Sequence, residues 1–163
     1  MPRQARYCPQ CASPLADREL DGRVRLACSS EDCSFVWWDN PVPVVAGIVE
    51  HESEIILVRN VGWPEKMYGL VTGFLERGES PEQGIRREIR EELGLDTGTV
   101  SLVGVYPFLE QNQVIIAYHA EATGEVSLGH ELAATKRIVP DRLRPWGFGT
   151  GHAVRDWLAR RSG

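Results

Sequence analysis

The segment from Gly73 to Leu95, Gly-Phe-Leu-Glu-Arg-Gly-Glu-Ser-Pro-Glu-Gln-Gly-Ile-Arg-Arg-Glu-Ile-Arg-Glu-Glu-Leu-Gly-Leu, restricts the fold more than any other part of the chain. It specifies a helix with both ends marked. Ser80 suits the N-cap, Pro81 fits the first helical position where no N–H is needed, and Gln83 completes a Ser-x-x-Gln capping box. Gly94 is a ready left-handed C-cap. At about 100° per residue, Ile85, Ile89 and Leu93 fall on one stripe, and Glu88, Glu91 and Glu92 gather on the neighbouring face. Such a helix buries its aliphatic stripe and presents acids beside it. Gly73 to Gly78 reads as the preceding loop, with glycines that let the backbone turn sharply and approach a charged ligand.

Like charges three and four residues apart repel by roughly 0.2–0.5 kcal/mol per pair unless something sits between them. Hard oxygen ligands at this spacing suit Mg²⁺ or Mn²⁺. Arg86, Arg87 and Arg90 interleave with the acids, so the short charged run taken alone also fits an ordinary salt-bridged surface.

The complete spacing is more informative. Gly, five residues, Glu, seven residues, Arg-Glu, an aliphatic, any residue, Glu-Glu, any residue, Gly, aliphatic resembles the Nudix box. Gly73, Glu79, Arg87, Glu88, Ile89, Glu91, Glu92, Gly94 and Leu95 fill its specified positions without a departure. The resemblance implies a Nudix α/β/α sandwich and a hydrolase that cleaves the pyrophosphate of a nucleoside diphosphate linked to another moiety, with Mg²⁺ or Mn²⁺. By position in the box it implies Glu88 and Glu92 as principal metal ligands and Glu91 as a ligand or the base acting on water. Glu79 then becomes an outer ligand or loop organiser, Arg87 orients the acids, and the Gly73 carbonyl is a further ligand. Glu131 lies in the region from which another catalytic acid often comes in this superfamily.

All four cysteines fall within the first 33 residues, as Cys8-Pro-Gln-Cys11 and Cys28-Ser-Ser-Glu-Asp-Cys33. This spacing suits tetrahedral ligation of one Zn²⁺ by four thiolates. Between the pairs, Glu19 to Leu26 alternates around Asp21-Gly22, the signature of a tight hairpin. Two disulfides or a redox Cys-x-x-Cys are the competing readings; a reducing cytoplasm and the absence of a surrounding βαβ pattern weigh against them. A closed four-sulfur site is expected to be structural.

Asn40-Pro41-Val-Pro43 interrupts the chain, which gives a zinc ribbon over 1–40 and a second domain over 41–163. Val44–Val49 and Glu54–Arg59 read as a buried hairpin, Val100–Val105 and Val114–Ala122 as two more strands, and Ala153–Arg161 as a helix. The 163 residues, 42% hydrophobic, supply an ordinary core, and the net charge of −5 argues against a strong nucleic-acid-binding surface, with no DNA partner expected. No apolar run reaches membrane length, and Met1-Pro-Arg-Gln-Ala-Arg is not followed by a hydrophobic stretch, so a cytoplasmic location is the default. Homodimerisation is left open.

A four-cysteine ribbon before a box reading Gly-Phe-Leu-Glu-x-Gly-Glu resembles the NADH pyrophosphatase branch. That branch carries a Ser-Gln-Pro-Trp-Pro-Phe segment after the box; here the chain has Tyr106-Pro107-Phe108 without the Ser-Gln-Pro part. The resemblance implies that Tyr106 and Phe108, with Trp63, line the pocket for a base. Core packing is the competing role for these aromatics. Two functions follow: an enzyme acting on a nucleoside diphosphate derivative such as NADH or ADP-ribose, or a non-catalytic regulatory protein binding nucleotide or RNA. The complete set of box acids favours the enzyme.

Overall fold

A computed structural model describes residues 5–161; Met1 to Gln4, the start of the ribbon expected over 1–40, lie outside the described residues. The chain divides into two compact units, Met1–Asn40 and Pro41–Gly163. Among the described residues, no helix is long and apolar enough to cross a membrane.

The smaller unit is a three-stranded antiparallel sheet of β1 (Leu15–Leu20), β2 (Arg23–Cys28) and β3 (Val36–Trp37), in that order. Asp21 and Gly22 join β1 to β2 with φ of 52° and 72°. Positive φ at both central residues is what a two-residue hairpin of right-handed twist requires.

The larger unit is built on six strands: β4 (Val42–His51), β5 (Glu54–Asn60), β6 (Val71–Phe74), β7 (Asp96–Phe108), β8 (Gln113–Thr123) and β9 (Leu132–Ile138). Their order is β7-β8-β4-β5-β9, and β6 also pairs with β4. The pairs are antiparallel except β4 with β8, which makes the sheet mixed.

Alternation along β4 and β5 explains the layering. Val45, Val49, Ile56 and Val58 point to one face, where α1 (Pro81–Leu93) covers them with Ile85, Ile89 and Leu93. Ala46, Ile48, Ile55 and Leu57 point to the other, beneath Ala153, Val154 and Trp157 of α2 (Gly151–Arg161). Each fully buried Ile or Leu contributes roughly 1.5–3 kcal/mol relative to exposure. The result is an α/β/α sandwich.

The ends of α1 follow the sequence reading. Ser80 accepts from the Gln83 N–H, the Gln83 side chain accepts from the Ser80 N–H, and Gly94 closes the helix at φ 69°. The start of the box differs. Gly73 belongs to β6 rather than to a loop, because Val44 to Gly47 pair with Val71 to Phe74 and hold that stretch extended.

Candidate active site

Arg87 organises the acids. Its guanidinium donates to both oxygens of Glu79, at 2.8 and 3.1 Å, to Glu88 at 2.7 Å, to Glu91 at 3.2 Å and to the Phe74 carbonyl at 3.1 Å. Glu79 also accepts from the Glu76 N–H at 2.8 Å, so it fastens the loop that joins β6 to α1. Hydrogen bonds from Arg87 hold the Glu79 carboxyl below the usual carboxylate range.

Glu88 lies directly beneath the β6 backbone. A Cβ at Gly73 would fall 1.9 Å from the Glu88 carboxyl carbon, so only glycine leaves room for the acid there. Burial raises the Glu88 pKa, and the Arg87 contact opposes that effect.

Glu92 is the most constrained of the four. It is 5% exposed, and its Oε2 has no hydrogen-bond partner among the described residues. Burial, reinforced by the charges of Glu88, Glu131 and Glu91, pushes its pKa up to about 8. A lone buried carboxylate oxygen is costly unless a cation or a proton meets it.

Glu131 is brought to the same place by the helix C-terminus. The Ser127 N–H donates to the Leu93 carbonyl and the Gly129 N–H to the Glu92 carbonyl, at 2.9 and 2.8 Å, satisfying groups that α1 itself leaves free. A Cβ at Gly129 would fall 2.4 Å from the Glu91 carbonyl, so the approach needs glycine. Glu131 follows two residues later, 66% exposed, with His130 at 3.7 Å.

These groups share a cavity of about 470 Å³ lined by Gly73, Arg87, Glu88, Glu91, Glu92 and Glu131 among others. Asn60, Phe74 and Gln113, which the sequence did not single out, also line it. Phe74 is 58% exposed although it is a large apolar residue in a strand. Its place inside the box was the available signal.

The other expected residues lie elsewhere. Tyr106 and Phe108 pack on the α2 face of the sheet, and the Tyr106 hydroxyl donates to Asp156 at 2.9 Å. Trp63 lines a second, smaller cavity. None of the three lines the acidic one.

In the smaller unit, the Sγ atoms of Cys8, Cys11, Cys28 and Cys33 all lie within 4.8 Å of one another. Cys8 and Cys33 are 3.7 Å apart and Cys11 and Cys28 3.4 Å, and all four are free thiols. Four sulfurs bound at about 2.3 Å in a tetrahedron would stand roughly 3.8 Å apart.

The NUDIX domain family model matches residues 40–155. The chain belongs to the Nudix family. It is 28% identical over 124 residues to the NAD-capped RNA hydrolase NudC of Vibrio atlanticus (strain LGP32), covering 76% of this chain and 45% of that protein. The protein of the same name from Mycobacterium bovis is 36% identical over 77 residues, 47% of this chain and 25% of the relative. The Nudix chain thus spans about half the length of the first of these curated relatives. A NUDIX hydrolase from Nitrosomonas europaea superposes with a TM-score of 0.81 at 23% identity, over 97% of this chain and 93% of its own. An ADP-ribose pyrophosphatase from Streptococcus suis superposes at 0.62 and 19% identity, over 76% of this chain and 94% of its own. At these identities the two structures bear on the fold, and the family match with the named relatives supports a Nudix pyrophosphohydrolase.

Proposed function

We propose that the chain hydrolyses the pyrophosphate of a nucleoside diphosphate linked to another moiety, using Mg²⁺ or Mn²⁺ held by Glu88 and Glu92. The observation that carries this reading is the partnerless, buried Glu92 oxygen in a cavity shared with Glu88, Glu91 and Glu131. An all-oxygen donor set fits a hard divalent cation, and the Gly73 carbonyl is one more candidate donor. When bound, the cation supplies charge neutralisation at the phosphate oxygens and lowers the pKa of water.

The protein's own groups divide the remaining work. Arg87 holds Glu79, Glu88 and Glu91 in place without entering the chemistry. Glu91 is 59% exposed and is held by a 3.2 Å contact with Arg87, which leaves it able to accept a proton from attacking water. Glu131 is the second candidate for that role. Asn60 and Gln113 offer neutral donors to phosphate oxygens, and the exposed ring of Phe74 offers a face to a planar group of the substrate.

The relatives named for NAD-capped RNA and ADP-ribose share one chemical element with each other, a nucleoside diphosphate joined to a second group. A panel of NADH, NAD⁺, ADP-ribose, a nucleotide sugar and NAD-capped RNA with Mg²⁺ or Mn²⁺ tests the reading. Cleavage between the two phosphorus atoms, abolished by EDTA, is the expected result. Tight binding of these ligands without any turnover would instead support a regulatory binder.

Gly73→Ala gives a second check. The new methyl displaces the Glu88 carboxylate, the far end of a flexible side chain, while the strand stays paired with β4. Turnover should fall roughly 10–100-fold, the scale seen when support of a metal ligand is lost, with little change in melting temperature. Unchanged turnover would remove Glu88 from the site.

The four thiols are proposed to hold one structural Zn²⁺ in a ribbon over residues 1–40, in a reducing, cytoplasmic setting that keeps them available as ligands.

A further inference from the structure

The hairpin of the smaller unit sorts its charges by face. Across β1 and β2, Arg18 stands directly opposite Arg25 and Arg23 opposite Leu20, while Asp17 opposes Leu26 and Glu19 opposes Val24. Side chains alternate between the faces of a strand, and directly opposed residues share a face. The three arginines therefore lie on one side and the two acids on the other. β3 extends both sides, with Val36 opposite Ala27 on the arginine face and Trp37 opposite Leu26 on the acidic one. The Arg25 guanidinium sits 4.6 Å from the centre of the Trp38 ring, which brings that ring to the arginine face.

These arginines lack acidic partners. In the larger unit Arg86, Arg87, Arg90, Arg137, Arg155 and Arg161 each pair with a carboxylate. Arg18, Arg23 and Arg25 form no ion pair among the described residues. Arg18 donates to the Cys28 carbonyl at 3.3 Å, and the Nε of Arg25 is buried without a hydrogen-bond partner. Like charges directly opposite across two strands repel unless an anion meets them. Between and beside them runs an apolar strip: Trp38 is 53% exposed, and Leu20 and Val36 are half-buried.

The charge around this face decides which anion it suits. Over residues 5–40 six acids outnumber four arginines, so the unit has no net positive field to gather a polyanion. Nucleic acid, held by neutralising many phosphates along its backbone, is poorly matched to it. Short-range recognition remains. The planar fork of arginine meets a carboxylate with two parallel N–H···O bonds, and exposed tryptophan and arginine together are the usual anchors of protein–protein contacts.

We propose that this face docks an acidic segment of a partner protein, with Asp or Glu carboxylates at Arg18, Arg23 and Arg25 and an apolar side chain on Trp38, Leu20 and Val36. The charge separation across the hairpin gives the contact its direction, because the opposite face, with Asp17 and Glu19, repels the same segment.

Fluorescence anisotropy of a labelled peptide, Glu-Asp-Leu-Glu-Asp-Leu, titrated with the full chain tests the proposal. The peptide should bind, its amide counterpart Gln-Asn-Leu-Gln-Asn-Leu should not bind over the same range, and added salt should weaken the complex. Arg18→Gln combined with Arg25→Gln should weaken it at least about fivefold, since exposed pairs are individually modest and two are lost. Arg142→Gln, at an exposed arginine of the larger unit, should leave it unchanged. Arg18→Glu combined with Arg25→Glu should reverse the preference, toward Lys-Arg-Leu-Lys-Arg-Leu. An unfolded ribbon does not produce that gain, so the reversal separates recognition from lost structure.

The proposal is overturned if the acidic peptide binds no better than its amide counterpart, or equally well to the paired Gln variant. A single-stranded oligouridylate that binds as tightly, and is released by the same substitutions, would make this a nucleic-acid face instead. Self-association of the native chain that the same substitutions abolish would make it a contact between two copies.

Discussion

Glu92→Gln should lower turnover by roughly 10²–10³-fold and make the metal-free protein more stable at alkaline pH. The first effect follows from removing one carboxylate that would hold the cation, which would in turn meet the developing negative charge at the pyrophosphate; loss of one such electrostatic support acts on this scale elsewhere. The second follows from the burial of Glu92. Its carboxyl titrates near the usual 4.5 when the chain is unfolded and near 8 in the fold without metal. A raised folded pKa contributes stability that is complete below pH 4.5 and is lost as pH rises to about 8. Glutamine has no charge to bury and does not suffer that loss. At pH 8.5 in EDTA the variant should therefore melt a few degrees above the native protein, at ~2–4 °C per kcal/mol for a chain of this size. At pH 4 the two should melt together. Mg²⁺ should raise the native melting temperature at pH 8.5 and leave the variant nearly unmoved. A variant that keeps full turnover, or that melts below the native protein in EDTA at pH 8.5, would exclude Glu92 as the central ligand.

What the sequence disclosed was local, and what it hid was set by distant partners. α1 was legible because Ser80, Pro81, Gln83 and Gly94 act within one turn of themselves. The first hairpin was legible for the same reason, through Asp21 and Gly22. β9 was not, since Leu-Ala-Ala-Thr-Lys-Arg-Ile carries few large apolar residues and stays extended by pairing with β5. β6 has four residues, too few to show a period, and is held by β4. A helical wheel places Glu92 beside Glu88 and Glu91 but does not give depth; the approach of Gly129 to the last turn of α1 is among the contacts that cover that end. The same approach carries Glu131 to the acids from nearly forty residues away. Tyr106 and Phe108 follow the box in sequence, yet strand alternation turns them to the α2 face.

Loss of zinc should unfold the smaller unit. Among described residues 5–40 the buried apolar side chains are Cys8, Ala27 and Cys28, so the unit has almost no hydrophobic core to hold it. Domains of about 40 residues or fewer usually need a metal, disulfides or a partner for this reason. The sulfurs stand 3.4 and 3.7 Å apart, longer than a disulfide bond and close to the edges of a four-thiolate site. Structural Zn²⁺ binding is worth roughly 10–16 kcal/mol in comparable peptides near neutral pH, more than the whole stability of a typical small domain. The native protein should contain one zinc per chain by elemental analysis. Cys28→Ala should lose it and expose the backbone amides of β1 and β2 to rapid hydrogen exchange, while peptides from α1 keep their protection. Zinc-free native protein with slow exchange across β1 and β2 would show that the thiols hold the unit without a metal.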